Sequence, residues 1–340
     1  MNRQSSPPKL IFACELPAQD LQALFADSRV MAALETIDAG LALGILDLSP
    51  ERAEVVRLLN EMGIPVVAWL LLPKEQGYWF NVGNAPEAVA GYASFKAWSA
   101  QHGLQWAGVG LDIEPDMRAI ERLTASGGWR TVPGLLGHAL DGGRWQRARA
   151  AYRDLVAQIR ADGFPVEAYH IPMIADERRV GSTFLQRLMG LVDIPADREV
   201  FMLYSSFVPV LGAGLLWSYA PDAQAIGVGS TGGGVTVAGA ADIPPLSWEA
   251  FSRDLLLART WGKDIFIFSL EGCLRQGFLS RLSTFDWSQP VATPPEGARQ
   301  VRVLRKALQA FLWGTAHPLA VLAAVIGLVW LLSRLRPPKR

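Results

Sequence analysis

The stretch WAGVGLDIEP, Trp106 to Pro115, decides how the rest of the chain is read. Successive side chains of a strand point to opposite faces, so Gly108, Gly110, Asp112 and Glu114 share one face and Ala107, Val109, Leu111 and Ile113 the other. The apolar face suits packing against helices. The glycine face leaves room inside a sheet and delivers two carboxylates to the strand's C-terminal end. Carboxylates placed there in a parallel barrel are usually functional, and a pair on one face is what general acid chemistry needs. The alternative is structural: Asp112 as the cap of a following helix, with Glu114 in its first turn.

Outward from this stretch, short apolar runs alternate with helical patterns. LIFACEL (10–16), LALGILDL (41–48) and PVVAWLLLP (65–73) precede it; PVEAYHIPMI (165–174), EVFMLYSSF (199–207), QAIGVGS (224–230) and DIFIFSLEG (264–272) follow. After the second run, Ser49 is a natural N-cap, Pro50 suits the first helical position and Gly63 the C-terminal cap. An aromatic loop, KEQGYWFNVGN, follows the third. Eight strand and helix units in about 290 residues predict an α/β fold, a closed (β/α)8 TIM barrel, over residues 1–286. A doubly wound sheet is disfavoured because no GxGxxG turn follows the first strand.

Residues 287–300 read as a Pro-rich linker and 301–340 as a basic juxtamembrane segment with a transmembrane helix. From Ala307 to Ser333 there is no Asp, Glu, Lys or Arg. That run exceeds the ~20 residues a bilayer requires, so residues 310–333 are expected to meet lipid. Bases lie on both sides of it, so charge does not choose an orientation. With no signal peptide at the N-terminus, the expectation is a tail-anchored membrane protein whose barrel stays in the cytoplasm.

Composition excludes several classes. Lys plus Arg and Asp plus Glu are both 32, so no net field favours nucleic acid. Cys14 and Cys273 provide no disulfide framework and no metal-ligand spacing, and they read as packing thiols. Neither a cofactor nor a resident metal is expected. The 12 Trp suit sugar stacking as well as core packing.

If the barrel closes, the strand ends share one rim. Glu15 ends the first strand in register with Ile11 and Ala13. Asp47 ends the second in register with Leu43 and Ile45. Glu271 ends the eighth in register with Ile265 and Ile267. Trp69, His170 and Tyr204 are the candidates of strands three, five and six. Singly, each is a cap or loop residue as readily as a ligand contact, and a lone His is more often core; their recurrence at matching ends argues for a substrate site. Glu15 and Glu271 become neighbours on closure, which would raise one pKa. Gly232, Gly233 and Gly234 read as a flexible loop, with a phosphate site as the alternative; no Lys or Arg lies between residues 225 and 252.

AGVGLDIE resembles the fourth-strand DGxDxDxE signature of the chitinase-like glycoside hydrolases, in which Gly108, Asp112 and Glu114 match while Ala107 and Gly110 stand where the signature has acids. MLYS (202–205) is similar to that family's MxYD, with Ser205 in place of Asp. The family's aromatic residue closing strand eight has no counterpart, Glu271 standing at that end. IEP is also similar to the NEP of another barrel glycosidase clan, though Ile113 replaces Asn and strand seven offers no nucleophilic acid. The resemblance implies a barrel acting on a carbohydrate, with Glu114 as general acid, Asp112 orienting an acetamido group and Tyr204 donating to the intermediate. Two other functions stay open: a metal-dependent lyase or phosphoesterase holding Mg²⁺ with Glu15, Asp47, Asp112, Glu114 and Glu271, and a non-catalytic glycan-binding or scaffold barrel.

Overall fold

The structure, a computed structural model, describes residues 7–125, 137, 139–235 and 243–334. Eight parallel strands close into a barrel in sequence order: β1 (Leu10–Cys14), β2 (Gly40–Ile45), β3 (Val66–Leu70), β4 (Gly108–Ile113), β5 (Val166–His170), β6 (Arg198–Met202), β7 (Ala225–Gly229) and β8 (Ile265–Phe268). β8 pairs with β1 in the register Leu10↔Ile265 to Ala13↔Phe268, which completes the closure.

Two apolar cores follow from strand parity. The outer one lies between strands and helices and takes Phe12, Leu41, Leu43, Leu70, Val109, Leu111, Ala168, Phe201, Ile226, Ile265 and Ile267. The inner one fills the barrel with Ile11, Ala42, Trp69, Tyr169, Val200, Ala225 and Phe266. Large rings from β3, β5 and β8 sit opposite small residues on β2, β4 and β7, which is how a closed barrel fills without voids. Trp69 meets Tyr169 edge-on at 6.1 Å between centroids. Below these rings, Glu167 accepts from Tyr169 Oη (2.9 Å) and from Arg198 Nε (2.9 Å), and Arg198 Nη1 also reaches Asp264 (2.8 Å).

Local signals placed the helices. Ser49 accepts from the Arg52 amide at the start of the helix Pro50–Glu61, as its type and position predict. The cap alternative for Asp112 is corrected: Asp112 lies inside β4, and the helix Met117–Ala125 is instead held by Asp116, which accepts from the Arg118 amide at 2.9 Å.

The C-terminal segment also differs from expectation. The uncharged run is not one helix: Ala298–Ala316 ends at His317, and Pro318–Arg334 leaves at a bend of 98°. Proline at 318 lacks the N–H that would continue the ladder and its ring crowds the preceding turn. Among the described residues no single helix is long and apolar enough to cross a membrane. The first of the pair packs on the barrel instead of leaving it. Arg305, expected to be a juxtamembrane base, is buried there: its guanidinium pairs with Asp176 and Asp222, each at 2.8 Å, and stacks 3.7 Å from the Tyr219 ring centre. It also donates to the Ser218 carbonyl.

Candidate active site

The inward face of β4 carries the site. Asp112 is buried and Glu114 half-buried at the strand's end. The chain that leaves β3 loops through Pro73–Trp79 and returns at Phe80, which pairs with Ile113. The Phe80 amide donates to the Asp112 carbonyl (2.8 Å) and the Glu114 amide to the Phe80 carbonyl (3.2 Å), so the backbone carrying both acids is fixed from either side. Trp69 Nε1 donates to Asp112 Oδ2 at 3.1 Å.

Glu15 and Glu271 join them. Glu15 continues the inward register of β1, where Tyr78 donates to its Oε1. Glu271 arrives differently from the strand parity expected. Ile265 and Ile267 face the outer core, and Glu271 belongs to the first turn of the helix Leu270–Arg275, which aims it back over the mouth. Neither of its oxygens has a donor in hydrogen-bonding geometry among the described residues. Tyr204 follows β6 and stacks on Phe268 at 5.7 Å. A Cβ on Gly227 or Gly229 would come within 3.2 Å or 3.4 Å of its ring, so those small inward positions of β7 give Tyr204 its place.

Burial without cations sets the electrostatics. None of Glu15, Asp112, Glu114 and Glu271 is in a salt bridge among the described residues, so each charged form lacks a partner cation and is only partly offset by hydrogen bonds. Burial pushes Glu15 up to about 8, with the charges of Glu271 and Glu114 adding to it against the Tyr78 hydrogen bond. Burial lifts Asp112 well above the carboxylate range, and the charges of Glu114 and Glu15 raise it further. Glu114 is pushed by burial to about 7, opposed by the hydrogen bond it receives from Asp112. Glu271 is raised as well, again by burial first. Tyr204 is held firmly as a phenol by burial and then by the charges of Asp112, Glu114 and Glu15. Asp112 and Glu114 thus form a carboxyl pair in which burial and mutual charge both favour the protonated forms.

Two expected members lie elsewhere. Asp47 is corrected because β2 turns Leu43 and Ile45 to the outer core; its carboxylate pairs at 2.8 Å with Arg52, itself fully buried, and takes Ser49 in a turn. That pairing holds it below the usual carboxylate range despite partial burial, through the Arg52 and Ser49 hydrogen bonds. His170 is corrected for the same reason. On β5 it is Glu167 and Tyr169 that pair with the inward Gly110 and Asp112, so His170 points outward, 3.8 Å from Glu199. Burial lowers its pKa, with the Glu199 and Asp193 charges opposing, and Arg178 already spans Asp193 (2.6 Å) and Glu199 (2.8 Å).

The Mg²⁺ alternative meets the same geometry. Among the described residues the group whose ligand atoms converge is His170, Asp193 and Glu199, and the rim acids form no such group. Tyr78 is the residue the sequence reading missed. It sits in the aromatic loop with φ +66°, an unusual conformation for tyrosine, and this turns its hydroxyl onto Glu15.

The departures from the chitinase-like signature have local explanations. A Cβ on Gly110 would lie 2.6 Å from Tyr169 Oη, so the tyrosine ring fills the space a middle acid would need. Ser205 turns away from the mouth and donates to buried Asp254. The glycine run expected to be a loose loop packs over the acids. Gly232, Gly233 and Gly234 have φ of +96°, +98° and +80°, and a Cβ at Gly233 or Gly234 would strike Glu271 Oε1 (2.5 Å) or the Phe268 ring. The rest of that loop, 236–242, lies outside the described residues.

The sequence matches no family model and no curated protein. Among solved structures, the glycoside hydrolase domain of PgaB (BpsB) from Bordetella bronchiseptica is similar to this chain, with a TM-score of 0.49 and 11% identity, covering 82% of this chain and 98% of that domain.

Proposed function

We propose that this barrel hydrolyses a glycan by general acid catalysis, with Glu114 protonating the leaving oxygen. The observation that carries this reading is the Asp112–Glu114 carboxyl pair at the inward end of β4, held by Trp69 and the Phe80 backbone, with burial pushing Glu114 up to about 7. A general acid works best when its pKa lies near the working pH, and a carboxyl buried beside another carboxyl is how a protein reaches that value. Asp112, fixed by Trp69, keeps the pair's other proton and orients Glu114. Tyr204 presents a phenol that stays protonated and can donate to developing negative charge. Tyr204 and Phe268, both half-buried, give the mouth ring surfaces of the kind sugars pack against.

The pH profile tests this. Glu114 must hold its proton to act, so its contribution is complete below about 7 and is lost as pH rises through that value. With an N-acetylated oligosaccharide as substrate, kcat/KM is expected to fall about tenfold per pH unit above this point. A flat profile from pH 6 to 9 rejects the assignment.

We infer further that the C-terminal helix pair attaches the protein to a bilayer. Leu319, Leu322, Val325, Ile326 and Leu328 are each more than half exposed on the last helix. The preceding helix exposes Val303, Leu304 and Phe311 beside Arg302 and Lys306, a composition suited to lying in the membrane interface. The full chain should float with vesicles containing anionic lipid and a chain ending at His317 should not; equal flotation of the two rejects a role for the last helix.

A further inference from the structure

A cavity of about 340 Å³ opens between the loop after β3, the helix Gly142–Ala161 and the end of the helix Phe184–Met189, with Asp116, two residues beyond Glu114, in its wall. Its charge is one-sided. Arg118, Arg122, Arg144 and Arg187 line it against Asp116 and Asp141, four cations to two anions, a net of +2. Both anions are engaged. Asp116 holds Arg118 at 2.6 Å, and Asp141 accepts the Arg144 backbone amide at 2.9 Å as a helix cap. Arg122, Arg144 and Arg187 are in no salt bridge among the described residues, and Arg187 Nε reaches only the Thr183 carbonyl, at 3.3 Å.

The cavity's wall brings a guanidinium to bare backbone. Arg144 Nη2 lies where a Cβ on Gly83 would be 3.2 Å away. Guanidinium groups turned into one concavity raise its potential and match oxyanions in pairs of parallel hydrogen bonds. Its position ties it to the acids. Asp116 is two residues beyond Glu114, and Asn81 follows Phe80, whose backbone holds Asp112 and Glu114.

We propose that this cavity binds an oxyanion, a carboxylate or a sulfate, carried by the glycan on which Glu114 acts, so that the substrate class is an acidic polysaccharide. The inference rests on the glycan reading above and adds the charge of the ligand. Arg144 and Arg187 are its specificity residues.

Calorimetric titration of the full chain tests it, using inorganic sulfate, a uronate-containing oligosaccharide and the methyl ester of the same oligosaccharide. Hydrogen bonds to a charged group predict at least about tenfold tighter binding of the acid than of the ester. In Arg144→Gln/Arg187→Gln the acid and ester should bind within about twofold of each other, with ester affinity and melting temperature unchanged. Equal affinity for acid and ester in the unaltered protein, or a preference that survives in the double variant, overturns the proposal while leaving the glycan reading intact. Arginine-dependent sulfate binding with neither oligosaccharide bound overturns the acidic-glycan assignment and the glycan reading together.

Discussion

Replacing Glu114 by Gln is expected to lower kcat/KM on an unactivated oligosaccharide by about 10³-fold, within the range general acids contribute, while KM changes little. The amide keeps the size and the hydrogen-bonding reach of the carboxyl but has no acidic proton to give. Substrates whose leaving group departs as a stable phenolate need less protonation and should lose far less. Folding should not suffer, since the change removes a carboxyl whose ionised form burial disfavours. Steady-state kinetics on both substrate types, with melting curves as control, check the result. Equal losses on activated and unactivated substrates would remove Glu114 from the proton-transfer step, and an unchanged rate would remove it from the reaction.

Replacing Arg305 by Met is expected to cost about 3–5 kcal/mol, because it strands the fully buried Asp176 without its cation. Asp176 would keep the Tyr219 hydroxyl (2.5 Å) and Gln309 amide (2.7 Å), which solvate a carboxylate less well than a guanidinium. For a chain of 340 residues the loss corresponds to a melting temperature lower by roughly 4–7 °C. The double variant Arg305→Met/Asp176→Leu should recover part of it, since an apolar pair leaves no charge buried alone. Thermal denaturation followed by circular dichroism measures both, and a single variant melting within ~2 °C of the parent would show that the clamp contributes little. Gly214 adds to the same junction: its Cα touches the backbone at Gly297 so closely that a Cβ would lie 2.5 Å from the Gly297 carbonyl carbon. The helix Ala298–Ala316 is therefore seated on the barrel by backbone contact and by a buried ion pair.

The sequence is most legible where one face of a strand differs from the other. β4 alternates glycine or acid with aliphatic residues, and that contrast correctly points Asp112 and Glu114 inward. β2 (GLALGI) and β8 (IFIF) are apolar on both faces because barrel strands are buried on both, so their parity is not written in the pattern. Asp47 is misplaced for that reason, whereas on β5 the inward face is marked by Glu167 and Tyr169 and His170 falls on the opposite parity. Glu271 shares the error in register and still reaches the site, by way of a helix turn. Tyr78 depends on a loop conformation that periodicity does not encode. At the C-terminus, hydropathy reports the run's composition but not its geometry, which Pro318 divides.

The ring-filled interior has a consequence for traffic. Trp69, Tyr169 and Phe266 close the barrel axis, and Glu167, Arg198 and Asp264 tie its lower end. Among the described residues these side chains fill the axis from below. A hydrolase built this way would admit substrate and attacking water to the acids from the strand ends and not along the barrel axis. Water for such a reaction would then enter from the side by which the cleaved fragment leaves, making turnover a sequence of exchanges at one end of the barrel.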